Sequence, residues 1–416
     1  MGIFQSLTGL VVFLFLAWLI SENRGRFPVK TAVVGISAQL GLAFILLKFP
    51  FFTKVFFYLN EAVLALEAST RAGTSFVFGY IGGGEKPFEV TNPQATFILA
   101  FQSLPLVLVI SALSAVLFYW NILPRIVKGF SWLLEKSLGL GGAEGLGVSA
   151  NIFVGMVESP LLIRPYVDKL SRSELFTLMT SGMATIAGTV LVLYATILDP
   201  VIANVTGHIL TASIISAPAA IVVSKIMIPE TAPRTSGVLE APEPAYGAMD
   251  ALTKGTIQGI ELLLNIIAMI IVLVALVHLA NIILGIFPDV LGAPLTLERV
   301  LGWLMAPVVW LMGVPWHEAH VAGGLLGTKT VLNEFIAYVN MTKLPEGSLS
   351  ERSLLIMSYA LCGFANPGSL GIMIGGLGGM APKRRDEIVS LGLKSIIAGT
   401  VATCMTGAVV ALIRFP

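Results

Sequence analysis

Apolar runs of about bilayer length recur along this chain, at 3–20, 31–47, 97–120, 176–198, 201–223, 262–287, 354–380 and 395–413, and none contains Asp, Glu, Lys or Arg. A hydrocarbon core about 30 Å thick is crossed by about 20 helical residues. In lipid every backbone N–H and C=O must find its partner within the segment or in a closed barrel. These runs are too long and too continuously apolar for barrel strands, so they predict helices. Charge agrees: 12% of residues are charged and 56% hydrophobic, against about 25% charged in soluble proteins. The expected fold is an all-α polytopic membrane protein with about eight transmembrane helices, two opposed re-entrant helical hairpins and inverted repeats.

The first run has no basic residue before it and is followed by Arg24, Arg26 and Lys30, the reverse of a cleavable signal, so it is expected to persist as a helix. Met1, Gly2 and Ser6 fit a myristoylation pattern, which on a helix that already spans reads as chance. Cys362 and Cys404 lie inside apolar runs and read as small core residues.

Lysine and arginine collect near 24–30, 125–136, 164–172, 225–254 and 383–385. All five clusters fall on the cytoplasmic side if both termini face outwards, provided that 142–171 enters and leaves from inside and 317–341 from outside. The segment 121–138 sets Ile122, Ile126, Phe130, Leu133 and Leu134 against Arg125, Lys128 and Lys136, the pattern of an interfacial helix. Pro229, Pro233, Pro242 and Pro244 mark a linker. The expected division is N-terminal scaffold spans and interfacial helix over 1–140, a first repeat over 141–228, a cytoplasmic linker over 229–255, a central scaffold span over 256–298 and a second repeat over 299–416.

Each half carries a polar, glycine-interrupted segment with a glutamate, followed by two long runs: Glu158 in SANIFVGMVESPLLIRPY, and Glu334 in KTVLNEFIAY. A charge at bilayer depth costs at least about 2.5 to 3.5 kcal/mol, so Glu158, expected to be buried, needs a partner or a hydrophilic ligand. Ser159 reads as an N-cap and Pro160 as the first turn of a second half-helix. Interrupted segments at matching places in two halves point to a transporter's binding site. Thr185, Asn366, Pro367, Gly368 and Ser369 interrupt the following runs, and Pro367 disfavours helix at Asn366. An ion pair of Glu334 with Lys329 or Arg164 is the structural alternative to a ligand.

SANIFVG, PLLIRPY, KTVLNEFIAY, CGFAN and APKRR, in this order, make the chain resemble the concentrative nucleoside transporter family from the first run to the last, as a short bacterial-type member. The resemblance implies a homotrimer in the bacterial inner (plasma) membrane. It also implies that a nucleoside is imported with a cation, sodium by the family's pattern, through alternating access. The partners implied are the nucleoside, membrane lipid and further copies of the chain, with no nucleic acid. Carried over by position, the tip Gly155, Met156, Val157 and Glu158 faces the base, and Glu334, Asn366 and Ser369 face the ribose with Phe364 as an apolar wall. Asn151 and Thr185, with the carbonyls of Val154 and Ile186, match the sodium ligands; proton-coupled members lack the asparagine, and a proton on Glu158 is the alternative.

The chain departs from the family at the tip. GMVESP stands where members commonly read GQTEAP or GQSE, so Met156 and Val157 cannot make the usual side-chain hydrogen bonds to a pyrimidine edge. A purine nucleoside, a less polar base or a water-mediated contact to Glu158 stays open, as does a related small polar solute. The sequence HEAH at 317–320 lacks the two intervening residues of HExxH, and no nucleophile and base stand at a credible spacing, so an enzyme is not expected. A channel has no need of two inverted carboxylate hairpins around one central site.

Overall fold

The structure, a computed structural model, describes residues 2–90, 96–156, 158–237, 245–290 and 292–414. Val157, at the first tip, and the linker prolines Pro242 and Pro244 lie outside the described residues. Helices α1 (Gly2–Leu19), α2 (Val29–Lys48), α3 (Pro50–Phe78), α4 (Leu99–Gln102), α5 (Leu106–Tyr119) and α6 (Ile122–Leu138) come first. The first broken unit is α7 (Gly142–Asn151), α8 (Glu158–Leu161), α9 (Arg164–Val167), α10 (Arg172–Ala184) and α11 (Gly188–Leu198), closed by α12 (Val205–Met227). After α13 (Ala248–Leu284) and α14 (Leu297–Leu311), the second is α15 (Ala319–Val331), α16 (Glu334–Thr342), α17 (Glu351–Leu361) and α18 (Pro367–Met380), closed by α19 (Arg385–Arg414).

Among the described residues six helical segments are long and apolar enough to cross a membrane: Val29–Lys48, Leu99–Tyr119, Arg172–Leu198, Val205–Met227, Ala248–Leu284 and Pro382–Arg414. The other two apolar runs are α1, which is shorter, and the broken pair α17 and α18. Helix α3 has no counterpart among the apolar runs because Lys54, Glu61, Glu67 and Arg71 interrupt it. It packs Phe56 onto Gly207, and its Asn60 Oδ1 accepts the Thr206 hydroxyl at 2.7 Å. Helix α13 begins at Ala248, inside the stretch read as linker.

Burial sets the layers. The most apolar window of α12 is 94% buried and that of α13 is 0% buried, so α12 lies at the centre and α13 on the outside. Helix α13 meets α5 closely: a Cβ on Gly255 would lie 2.7 Å from the Ser111 carbonyl oxygen, and one on Gly259 3.0 Å from Leu108 Cα. Small residues one turn apart are how membrane helices approach. On α6, Val127, Leu134 and Leu138 are buried, Phe130 packs on Phe153 with ring centroids 5.3 Å apart, and Ile122, Ile126 and Leu133 are exposed, so the apolar face read from the sequence is divided between the core and the outside.

Both long hydrophobic units are broken at their middle, and the breaks touch. Helix α10 ends at the extended Thr185, and α17 gives way to Gly363 at φ 155°, a conformation that favours glycine. A Cβ on Gly363 would lie 2.8 Å from the Met183 carbonyl oxygen and 2.8 Å from Thr403 Cγ2.

Several loops bearing the basic clusters meet at one end of the molecule. Arg172 pairs with Glu22 at 2.8 Å and Glu387 at 3.3 Å, Lys394 pairs with Glu22 at 2.7 Å, and Arg384 donates to the Val167 carbonyl at 3.2 Å. The Arg172 guanidinium on Glu22 holds that carboxyl down at about 2.

Candidate functional site

The second tip is built from two helix starts. Asn333 Oδ1 accepts the Ile336 N–H at 2.8 Å and so opens α16 at Glu334. Asn366 Oδ1 accepts the Ser369 N–H at 2.8 Å and opens α18, with Pro367 in its first turn. That leaves the Asn366 amide nitrogen free to turn outwards, where it donates to Glu334 Oε2 at 3.0 Å. Tyr194, on α11, donates its hydroxyl to Glu334 Oε1 at 2.5 Å. The carboxylate is 4% exposed and is held by one donor on each oxygen. Each oxygen keeps a lone-pair direction for another hydroxyl.

In front of it lies a cavity of about 170 Å³ lined by residues of both broken units and of α13. Gly155, Met156, Glu158, Glu334, Phe364, Asn366 and Ser369 all line it. Of the residues carried over for a substrate, only Val157 is missing from this group, because it lies outside the described residues. The expectation that Glu158 is buried is corrected: it is exposed, since the tip opens onto the cavity. Its carboxylate crosses its own turn, so that a Cβ on Gly155 would lie 2.0 Å from Glu158 Oε2. Ser159 is not the expected N-cap: helix α8 starts at Glu158, and the Ser159 hydroxyl donates to the Gly147 carbonyl at 2.6 Å, tying the two half-helices together.

Neither proposed ion pair to Glu334 forms. Arg164 is exposed at the start of α9, and Lys329 donates to the Ala360 carbonyl at 2.8 Å and Thr403 Oγ1 at 2.9 Å. The sequence reading also missed Tyr194, Thr189 and Asn265, which line the same cavity. Tyr194 was detectable as the one phenolic hydroxyl in the run GTVLVLYATIL; Asn265 was detectable as an amide in a span otherwise apolar from Leu262 to Val277.

Behind the first tip, α7 ends at Asn151 against the end of α10. Thr185 Oγ1 reaches the Asn151 and Ser181 carbonyls, both at 2.8 Å, and Asn151 Nδ2 donates to the Leu178 carbonyl at 3.3 Å. Gly188 N–H to the Phe153 carbonyl at 2.9 Å and Ser213 Oγ to the Ile152 carbonyl at 3.1 Å hold the turn. Asn151 is 1% exposed, and its Oδ1 is buried with no hydrogen-bond partner. An unmet buried acceptor costs about 1–3 kcal/mol. With Val154 in the turn and Ile186 in the α10–α11 break, the neighbourhood is rich in oxygen donors of the kind a hard cation takes. The residues fit a sodium ion.

Models of known families match most of the chain: Na+ dependent nucleoside transporter N-terminus over 8–81, nucleoside recognition over 100–201, and Na+ dependent nucleoside transporter C-terminus over 208–411. Among similar proteins, the uncharacterized transporter YutK of Bacillus subtilis is 39% identical over 98% of this chain and 99% of its own. The nucleoside permease NupC of Helicobacter pylori is 32% identical over 98% of this chain and 97% of its own. The fold superimposes on CNTnw in an inward-facing substrate-bound state with a TM-score of 0.90 at 34% identity, covering 100% of this chain and 98% of that one.

Proposed function

The chain belongs to the Na+ dependent nucleoside transporter family, and from that premise we propose that it imports nucleosides by sodium symport, alternately exposing one site to either side of a bacterial plasma membrane. It is an integral membrane transporter and not an enzyme. The observation that carries the reading is Glu334, an acceptor-only group held by Tyr194 and Asn366 at the wall of a cavity between two broken units. A ribose offers vicinal hydroxyls that donate to such a carboxylate, and charge-assisted bonds of this kind are the strong ones. Asn366 and Ser369 supply further polar contacts, and Phe364 an apolar wall for the sugar or base.

Sodium, in this reading, takes Asn151 Oδ1, Thr185 and the carbonyls of Val154 and Ile186. It supplies the charge that joins α7 to α10 and so steadies the tip that bears Gly155, Met156 and Glu158. The oxygen-rich neighbourhood and the unmet Asn151 acceptor favour sodium over a proton. The basic loops gathered at one end support both termini outside, and the trimer reading rests on the family resemblance.

Base preference is the site's departure from the family. Met156 is 9% exposed on the wall of the cavity, which the apolar Leu262 and Ile266 of α13 also line. The proposed base end therefore favours a purine or a weakly polar base over a pyrimidine read through side-chain bonds. Met156→Gln with Val157→Thr should shift the ranking towards uridine and cytidine in a competition panel of nucleosides, deoxynucleosides and free bases. An unchanged ranking would mean that this tip does not select the base. Deoxynucleosides and free bases should compete poorly, because a site built to bond a hydroxyl is left with unpaired groups when the hydroxyl is absent.

A further inference from the structure

Lys329 is fully buried (0% exposed) and takes no part in the site described above. A buried ammonium is expensive unless it is paired or solvated by fixed dipoles. Here the dipoles are known. Nζ donates to the Ala360 carbonyl at 2.8 Å and to Thr403 Oγ1 at 2.9 Å. Ala360 stands in the last turn of α17, where carbonyls lack helical partners and the helix dipole is negative. Thr403 comes from α19.

The same three kinds of element meet behind the first tip. There the half-helix before the glutamate ends at Asn151, the end of the broken helix contributes Ser181, Thr185 and the Leu178 carbonyl, and the closing helix α12 contributes Ser213. In the second unit, Lys329 lies in the last turn of the half-helix before Glu334, Ala360 in the last turn of the broken helix, and Thr403 on the closing helix. The first slot holds an amide oxygen with no partner; the second holds a positive charge already on its carbonyl and hydroxyl.

We propose that Lys329 is a tethered cation, occupying behind the second tip the place that the coupling ion takes behind the first. The inference rests on the sodium reading of Asn151. Its consequence is an asymmetry between otherwise matching halves: the second break is held shut by a charge that never leaves, and the first is held only while an ion is bound. Lys329 is then a positioning residue, keeping the α17–α18 break in the form that presents Asn366 to Glu334.

Chemical rescue tests it. Lys329→Ala should cut nucleoside uptake in proteoliposomes by roughly tenfold or more, and millimolar methylammonium should restore a substantial part of it at an unchanged half-saturating sodium concentration. Lys329→Met, of similar length but neutral, should be inactive and beyond rescue. Full uptake by Lys329→Met overturns the proposal, and so does a folded Lys329→Ala that methylammonium leaves inactive. Thermal melting supplies a second readout if Lys329→Ala is destabilised: methylammonium should raise its Tm and not that of Lys329→Met, and equal shifts in the two overturn the proposal. Failure of the sodium reading itself is recognised separately, as wild-type uptake indifferent to sodium.

Discussion

Glu334→Gln is expected to remove nucleoside binding by roughly a hundredfold, about 3 kcal/mol. The carboxylate only accepts, and its two oxygens already take the Tyr194 hydroxyl and the Asn366 amide. Asn366 cannot turn its amide round to suit a glutamine, because its Oδ1 is committed to the Ser369 N–H as the cap of α18. The glutamine oxygen must therefore face Asn366, and its NH2 must face Tyr194, whose hydroxyl can rotate to accept. The pocket survives and the charged acceptor does not. Equilibrium binding to the purified protein, with thermal melting as a control for folding, checks this. Near-normal affinity would remove Glu334 from the substrate site, whereas loss of affinity with an unchanged Tm identifies it as the ribose acceptor.

Asn151→Ala should raise the half-saturating sodium concentration by tenfold or more, about 1.4 kcal/mol. The side chain contributes an oxygen with no other partner and an amide that bonds the Leu178 carbonyl, so its removal takes away an ion ligand together with a brace between α7 and α10. The two losses separate experimentally. A lost ligand shifts the sodium curve and leaves maximal uptake near normal at saturating sodium, while a lost brace lowers the maximum at every sodium concentration. An unmoved sodium curve would place the ion elsewhere or make the coupling ion a proton.

The membrane helices were legible because lipid imposes a composition as well as a length, and Pro367 announced the second break through backbone chemistry alone. Helix α3 was not legible, since its charges break the apolar pattern while its contacts run to the start of α12. Local rules failed where a distant partner was better than a near one. Ser159 has the composition of an N-cap yet bonds Gly147, and Lys329, close in sequence to Glu334, reaches Ala360 and Thr403 instead. Tyr194 was hidden for the same reason: nothing near it in sequence indicates that its hydroxyl meets a carboxylate from the other half of the chain. The described substrate residues named from the family motifs line one cavity, but the resemblance did not foretell which donors hold Glu334 or that Glu158 stands exposed.

The central claim is that a sodium gradient drives nucleoside accumulation through this site. Purified protein in proteoliposomes should concentrate a labelled nucleoside above the external level, saturably, when sodium is imposed inwards, and should only equilibrate it when sodium is equal on both sides. Uptake that never exceeds equilibrium under an inward sodium gradient would contradict the account.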